Sequence, residues 1–305
     1  MYDNVQPVPI SPNLTYQRGV IFVLLAGLCW STMGLGIRFM EVANVWQILF
    51  YRSLAMTPFL FLVISLRSHG KPLSDIRKAG PAGVCGGIAL VFAFVGGIFA
   101  VQETTVANAM FLFAAAPFFA ALLGWFILRE RVRKGTWIAM AVASTGVTIM
   151  VWEGMSLGHM SGNLAALLSA LGFAVFTITL RWRKLDDMMP TVVLGGIFAM
   201  VTTGIVCFTA EYTLFLPLND ILIALSLGIF QVGAGLTFFT LGSKVVLAVD
   251  LALLSMLEVV LGPFWVWMVL GETAGYYTLL GGAVLMVAIA GNALSGLRRK
   301  PTPTL

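Results

Sequence analysis

Glu258 is the first residue of this sequence whose type and position could do chemistry. It lies near the middle of an apolar run long enough to cross a bilayer, where an acidic side chain costs roughly 2.5–3.5 kcal/mol on insertion scales. Such a carboxyl has to face a bundle interior or a wet cavity. It could accept a proton, counter a substrate ammonium, or stay protonated and hydrogen-bond a neighbouring helix. Asp250 precedes it by eight residues, which places it about 80° round the same helix. It falls in the first turns, where a helix dipole favours a carboxylate, and Lys244 is near enough in sequence to pair with it. A gate or anchor suits Asp250 better than a substrate contact. Arg52 enters its own span roughly 9 Å from one end, at about 1.5 Å per residue. Snorkelling to the headgroups accounts for it, with Glu41 or a substrate carboxylate as the alternative partner.

Several uncharged groups also fall at membrane depth. Trp30 sits mid-span, away from the interfacial belts where Trp concentrates, and its indole N–H needs a partner. Gln231 and Asn108 could contact a substrate or join helices by hydrogen bonds worth about 0.6–2 kcal/mol. Trp46, Trp137, Trp152 and Trp182 fall at span ends as interfacial anchors, and Trp265 and Trp267 approach the same kind of belt. Gly83 with Gly87, and Gly271 with Gly275, have GxxxG spacing and imply close helix packing.

Other chemistries lack their residues. There is no GxxxxGK[ST] for an ATP-driven pump, no DxxxD pair and no TVGYG-like filter. The two histidines, His69 and His159, fall in loops. Cys29, Cys85 and Cys207 lie inside apolar runs without metal or CxxC spacing, so they act as small packing residues. No catalytic residue, metal site or cofactor is expected.

These residues need membrane spans to position them. The chain has 305 residues, 59% hydrophobic and 10% charged, with mean hydropathy +0.97. Soluble domains carry about 25% charge, so a soluble fold is excluded. The apolar runs are continuous rather than alternating, which excludes an outer-membrane barrel. At roughly 20 apolar residues per helix, ten spans emerge: Gly19–Ile37, Val45–Leu66, Pro81–Val101, Thr105–Leu128, Thr136–Val151, Gly162–Leu180, Thr191–Phe208, Ile221–Leu241, Val246–Leu270 and Thr273–Leu294. The fold class is an all-α polytopic membrane protein. The polar, Pro-rich first 18 residues lack a basic n-region and a cleavage site, so the first span directs insertion.

Of the 18 basic residues, 16 fall in alternate loops on one side, while Arg38 lies opposite and Arg52 within a span. The positive-inside rule then places both tails, 1–18 and 297–305, in the cytoplasm of a bacterial inner membrane. The net charge of +5 reflects topology and anionic lipid contact, not nucleic acid.

Two stretches recur. Trp125-Phe-Ile-Leu-Arg-Glu130 resembles Trp267-Met-Val-Leu-Gly-Glu272, and Leu35-Gly-Ile-Arg38 resembles Ile178-Thr-Leu-Arg181. The near-equal offsets divide the chain into repeats at 19–152 and 158–296. Five spans each is an odd number, so the repeats face opposite ways, a signature of alternating access with a site near the midplane.

The segments Ala100–Met110 and Ala116–Glu130, with thirteen residues from Pro117 to Glu130, resemble the EamA module of the drug/metabolite transporter superfamily. The second half is similar at Leu257-Glu258, but Val259 stands where the module has proline and Pro263 follows one turn later. The resemblance implies a ten-helix transporter whose spans one, three, four, six, eight and nine surround a cavity. On that architecture Trp30, Phe176 (one turn beyond Phe173, the repeat mate of Trp30), Gln231, Phe239 and Glu258 line a site for an aromatic zwitterion. The expectation is a secondary exporter of small metabolites, with aromatic or large neutral amino acids foremost. Its partners are a small-molecule substrate and the lipid bilayer, and the sequence leaves the oligomeric state open. A quaternary-cation or multidrug exporter is the alternative of the same superfamily. A channel, a membrane scaffold or a lipid-modifying enzyme is the alternative of another class.

Overall fold

The computed structural model describes residues 16–297 apart from His69 and Asp186. Arg298, Arg299 and Lys300 therefore lie outside the described residues, as do most of both tails. The described chain is helical throughout, with ten helices or broken helices of membrane-crossing length and composition. In order these are α1 (Tyr16–Arg38), α2 (Val45–Arg67), α3 (Pro72–Glu103), α4 and α5 (Val106–Phe113, Ala116–Ile127), α6 (Lys134–Ser156), α7 (Met160–Trp182), α8 (Met189–Thr209), α9, a π-helical segment and α10 (Leu218–Ser226, Leu227–Ala234, Gly235–Gly242), α11 (Ala248–Leu270) and α12 (Tyr276–Leu297). Ten crossings leave Tyr16 and Leu297 at one end of the bundle, here called the terminal end.

Local chemistry sets the breaks. Asn44 caps α2 by accepting from the Trp46 and Gln47 N–H groups, while Gln47 reaches back to the Asn44 N–H. This reciprocal box satisfies donors that a helix start leaves orphaned. Gly80 takes φ 53° ahead of Pro81, so α3 kinks where the sequence had its span begin; the preceding polar turns are helical too. The fourth span breaks at Ala114–Ala115, just before Pro117, because proline has no N–H to continue the ladder. The ninth does not break: α11 runs through Pro263 to Gly271, whose left-handed φ of 69° ends it. Gly271 is thus a helix terminator, not a packing contact. The sixth helix along the chain, α6, is 23 residues long and needs no shortened span.

Glycines allow the closest approaches. A Cβ on Gly146 would meet the Gly281 carbonyl, and one on Gly281 would meet the Gly146 carbonyl, so α6 and α12 touch backbone to backbone. Gly83 and Gly87 pack on Leu194, Gly195 and Phe198 of α8, as their spacing implied.

A cluster of Phe118, Ala139, Ala143 and Leu285 joins α5, α6 and α12, and two larger apolar clusters fill the rest of the bundle. One, at the end opposite the termini, gathers Ile37, Ile48, Leu49, Ile98, Val106, Leu112 and Val266. The other, toward the terminal end, gathers Met56, Leu60, Leu90, Phe176, Met189 and Leu236, and Phe94 packs against both. The ninth span is unevenly held. Its partner α4 packs on it, whereas α5 packs on α7 and makes at most marginal contact with α11. The half of α11 from Leu251 to Glu258 is accordingly half-buried or exposed throughout. The bundle is closed at the opposite end and loose between α5 and α11 at the terminal end.

Candidate functional site

Glu258 sits on the side of α11 that faces α1. Gly27 makes room for it: a Cβ there would lie 3.6 Å from Leu257 Cβ and 3.8 Å from the Glu258 nitrogen. Four and seven residues on, the same side continues. Gly262 approaches the Ser31 carbonyl at 3.7 Å from its Cβ position, and Trp265 Nε1 donates to Ser31 Oγ at 3.0 Å. Seven residues return an α-helix to within about 20° of its starting azimuth, so Glu258 and Trp265 share one face. Trp265 is therefore not an interfacial anchor but a bond between α1 and α11. The Glu258 carboxyl is half-buried, and no hydrogen bond or ion pair holds it among the described residues.

Trp30 is also half-buried. Its ring lies 5.2 Å from Phe239, tilted by 41°, and Gly235 lets α10 approach the indole nitrogen. Aromatic pairs at this spacing stabilise by about 0.5–1.5 kcal/mol, and the pair ties α1 to α10. Gln231 lies one turn before Gly235 in the π-helical segment, is 7% exposed, and its Oε1 has no partner. The structure thus gathers Trp30, Phe239 and Glu258 around α1, with Gln231 a turn away.

The remaining candidates lie elsewhere. Phe176 is 2% exposed inside the terminal-side cluster; Phe173, 5.5 Å from it, is the more accessible ring. Asn108 donates to Asn163 and to Thr104 Oγ1, a buried link between α4 and α7. Asp250 takes its hydrogen bond from the Tyr16 hydroxyl at 2.5 Å, not from Lys244, which is exposed. Arg52 does not snorkel and does not meet Glu41, which is exposed. It is 2% exposed, its guanidinium stacked 4.6 Å over Phe94. Burial inside the bundle beneath Phe94 keeps the guanidinium away from the headgroups.

Charged groups at the two ends were only partly foreseen. Arg38 at the end of α1 donates through Nε to Glu272 at 2.7 Å and through Nη2 to the other Glu272 oxygen at 3.4 Å. Glu272 also accepts from the Val106 N–H at 2.7 Å. At the terminal end Arg181 pairs with Glu130. Asp220, fully buried at the start of α9, accepts from the backbone N–H groups of Glu41, Val42 and Ala43 at 3.0–3.1 Å. The sequence gave no motif for this last contact, since its donors are main-chain groups about 180 residues away. No group of metal-ligating side chains occurs among the described residues. A groove of about 240 Å³ between α1 and the π-helical segment includes Gln231, and one of about 560 Å³ surrounds Glu130; neither includes Glu258.

The ten-span bundle has known counterparts. Residues 17–152 match the EamA-like transporter family. The first half is similar to that family's module. A pseudopaline exporter, CntI, of Pseudomonas aeruginosa is 22% identical over 278 residues, covering 89% of this chain and 94% of that protein. A transporter of Helicobacter pylori is 25% identical over 200 residues, and that match spans 64% of its length and 63% of this chain. A solved crystal structure shares the fold with TM-score 0.65 at 21% identity, covering 94% of this chain and all of that one. Together these are similarities to EamA-like transporters in sequence and a shared fold, in a chain with ten helices of membrane-crossing length and composition.

Proposed function

We propose that the chain is a secondary transporter that exports small amphipathic metabolites, with aromatic or other large neutral amino acids as the leading class. The repeats at 19–152 and 158–296 would rock about a central site and expose it to each side in turn. The observation that carries this reading is Glu258, an unpartnered carboxyl in mid-span on the side of α11 that faces α1, the helix that also carries Trp30 and its contact with Phe239. A carboxylate suits a substrate ammonium, and the rings suit an apolar side chain. The closed opposite end and the loose α5–α11 seam fit one of the two accessible states. The overall form is similar to the bacterial aromatic amino-acid exporter YddG. The charge bias supports a bacterial inner membrane with the terminal end in the cytoplasm.

A second reading is an exporter of quaternary or other organic cations, favoured by the same acid and aromatic pair. Counterflow separates the two. Proteoliposomes loaded with unlabelled phenylalanine should transiently concentrate radiolabelled tryptophan above equilibrium. Accumulation that collapses or grows with a pH gradient would bring Glu258 forward as a proton site. No accumulation by folded protein would sink the amino-acid reading and leave the cation reading.

A further inference from the structure

Arg52 presents a buried cation without an anion. It lies about seven residues into α2, roughly 10 Å from that helix's start, and is 2% exposed. The ring of Phe94, which borders both apolar clusters, covers one face of the guanidinium at 4.6 Å. Two of its nitrogens, Nε and Nη2, have no hydrogen-bond partner, and none of the ion pairs among the described residues includes it. Burying an unpaired charge costs more than one cation–π contact returns.

The two nitrogens are not a random pair. Nε and Nη2 form one in-plane edge of the guanidinium, the edge that takes a carboxylate through two parallel bonds. The same molecule supplies the reference: Arg38 uses this edge on Glu272. In Arg52 the edge is unbonded, and the guanidinium carbon lies 4.6 Å from the centre of the Phe94 ring. The π-helical segment packs on both α2 and α1. It sets Gly228 against the Arg52 backbone on the α2 side.

We propose that Arg52 anchors a carboxylate of the cargo, so that the transported molecule is an acid or zwitterion and an organic cation lacking a carboxylate is refused. This rests on the transporter reading above and narrows its substrate class. The acid group would take the Nε–Nη2 edge, and cargo binding would neutralise a charge that the protein otherwise buries alone. In the conformation described the edge is closed off from solvent, so the cargo engages it as the α2–π-helix seam parts at Gly228.

The test uses the purified full chain, followed by thermal unfolding with phenylalanine, 3-phenylpropionate (no ammonium), hexanoate (no ring) or phenethylamine (no carboxylate). Wild type, Arg52→Met and Arg52→Lys are compared. The acids should raise the wild-type Tm and phenethylamine should not. Arg52→Met should weaken acid binding about tenfold or more, while its ligand-free Tm is unchanged or raised, because a buried unpaired cation has been removed. Arg52→Lys should keep part of the effect, having charge without the two-pronged edge. Stabilisation by phenethylamine, an acid effect that survives in Arg52→Met, a lower ligand-free Tm in Arg52→Met, or no effect of any acid would overturn the proposal. Stabilisation by hexanoate through Arg52, with none by the aromatic acids, would retire the aromatic reading and leave the anchor standing.

Discussion

Arg38 and Glu272, 234 residues apart, are joined by two bonds along one guanidinium edge at the end of the bundle opposite the termini. Arg181 and Glu130 make a corresponding pair at the terminal end. Each pair links one of the first five spans to one of the last five, and the four residues are the ones that recur in sequence at offsets near 142. The opposite-end pair is the less exposed, at 25% and 23% against 46% and 38%.

Breaking the Arg38–Glu272 pair should therefore loosen the closed end. Glu272→Gln is expected to cost about 1 kcal/mol, the upper range for a partly exposed pair, and to shift the transporter toward states open on that side. The swap Arg38→Glu with Glu272→Arg should recover only part of the loss, since an arginine cannot accept from the Val106 N–H. Cysteine accessibility at the opposite end, compared across the three variants, checks this. Equal accessibility in all of them would remove the pair from gating.

Asp220 offers a sharper case. Its buried carboxylate accepts three main-chain N–H groups, and Asp220→Ala would orphan all three at about 1–3 kcal/mol each before relaxation. Asp220→Asn keeps one acceptor and should fall between the alanine variant and wild type. Hydrogen exchange at residues 41–43 reads it directly; unchanged protection in Asp220→Ala would refute the account.

Glu258→Gln removes the charge and leaves the shape. Transport of a cognate substrate should fall about tenfold or more, as expected when a buried charge partner is neutralised. Initial rates in proteoliposomes give the answer, and wild-type rates in the variant would take this carboxyl out of the mechanism.

Trp265→Phe should lose the bond to Ser31 while keeping an aromatic ring on that face. The expected cost is about 0.6–1.7 kcal/mol, the range for hydrogen bonds between membrane helices. Ser31→Ala should cost a similar amount, and the double variant should cost no more than either alone. Additive losses in Tm would mean that the two residues do not act as a pair.

Much of the fold was legible because lipid imposes one rule on every span: about twenty apolar residues, closed internal hydrogen bonds. The ten spans follow from that rule, and so does the unbroken ninth, Val246–Leu270, which α11 matches through Pro263. The break of the fourth span before Pro117 does not, because Thr105–Leu128 reads as one apolar run and neighbouring helices decide whether a proline kinks or breaks a membrane helix. The π-helical segment has no sequence period of its own. Glu258 stood out by charge alone, and its seven-residue spacing to Trp265 was there to be read. What the spacing lacked was Ser31, which tertiary packing brings to that face. Arg52 was misjudged for a related reason. Depth along a helix measures how far a side chain must reach, whereas its fate depended on the walls around it, Phe94 above all.

The backbone contact between Gly146 and Gly281 has a practical consequence. Two helices meeting carbonyl to Cα cannot slide past each other without a clash, so α6 and α12 form a fiducial post within the bundle. Probes on its lipid-facing side keep a fixed separation through the cycle. Distances from that post to the free ends of α5 and α11 would give a ruler with its zero built in.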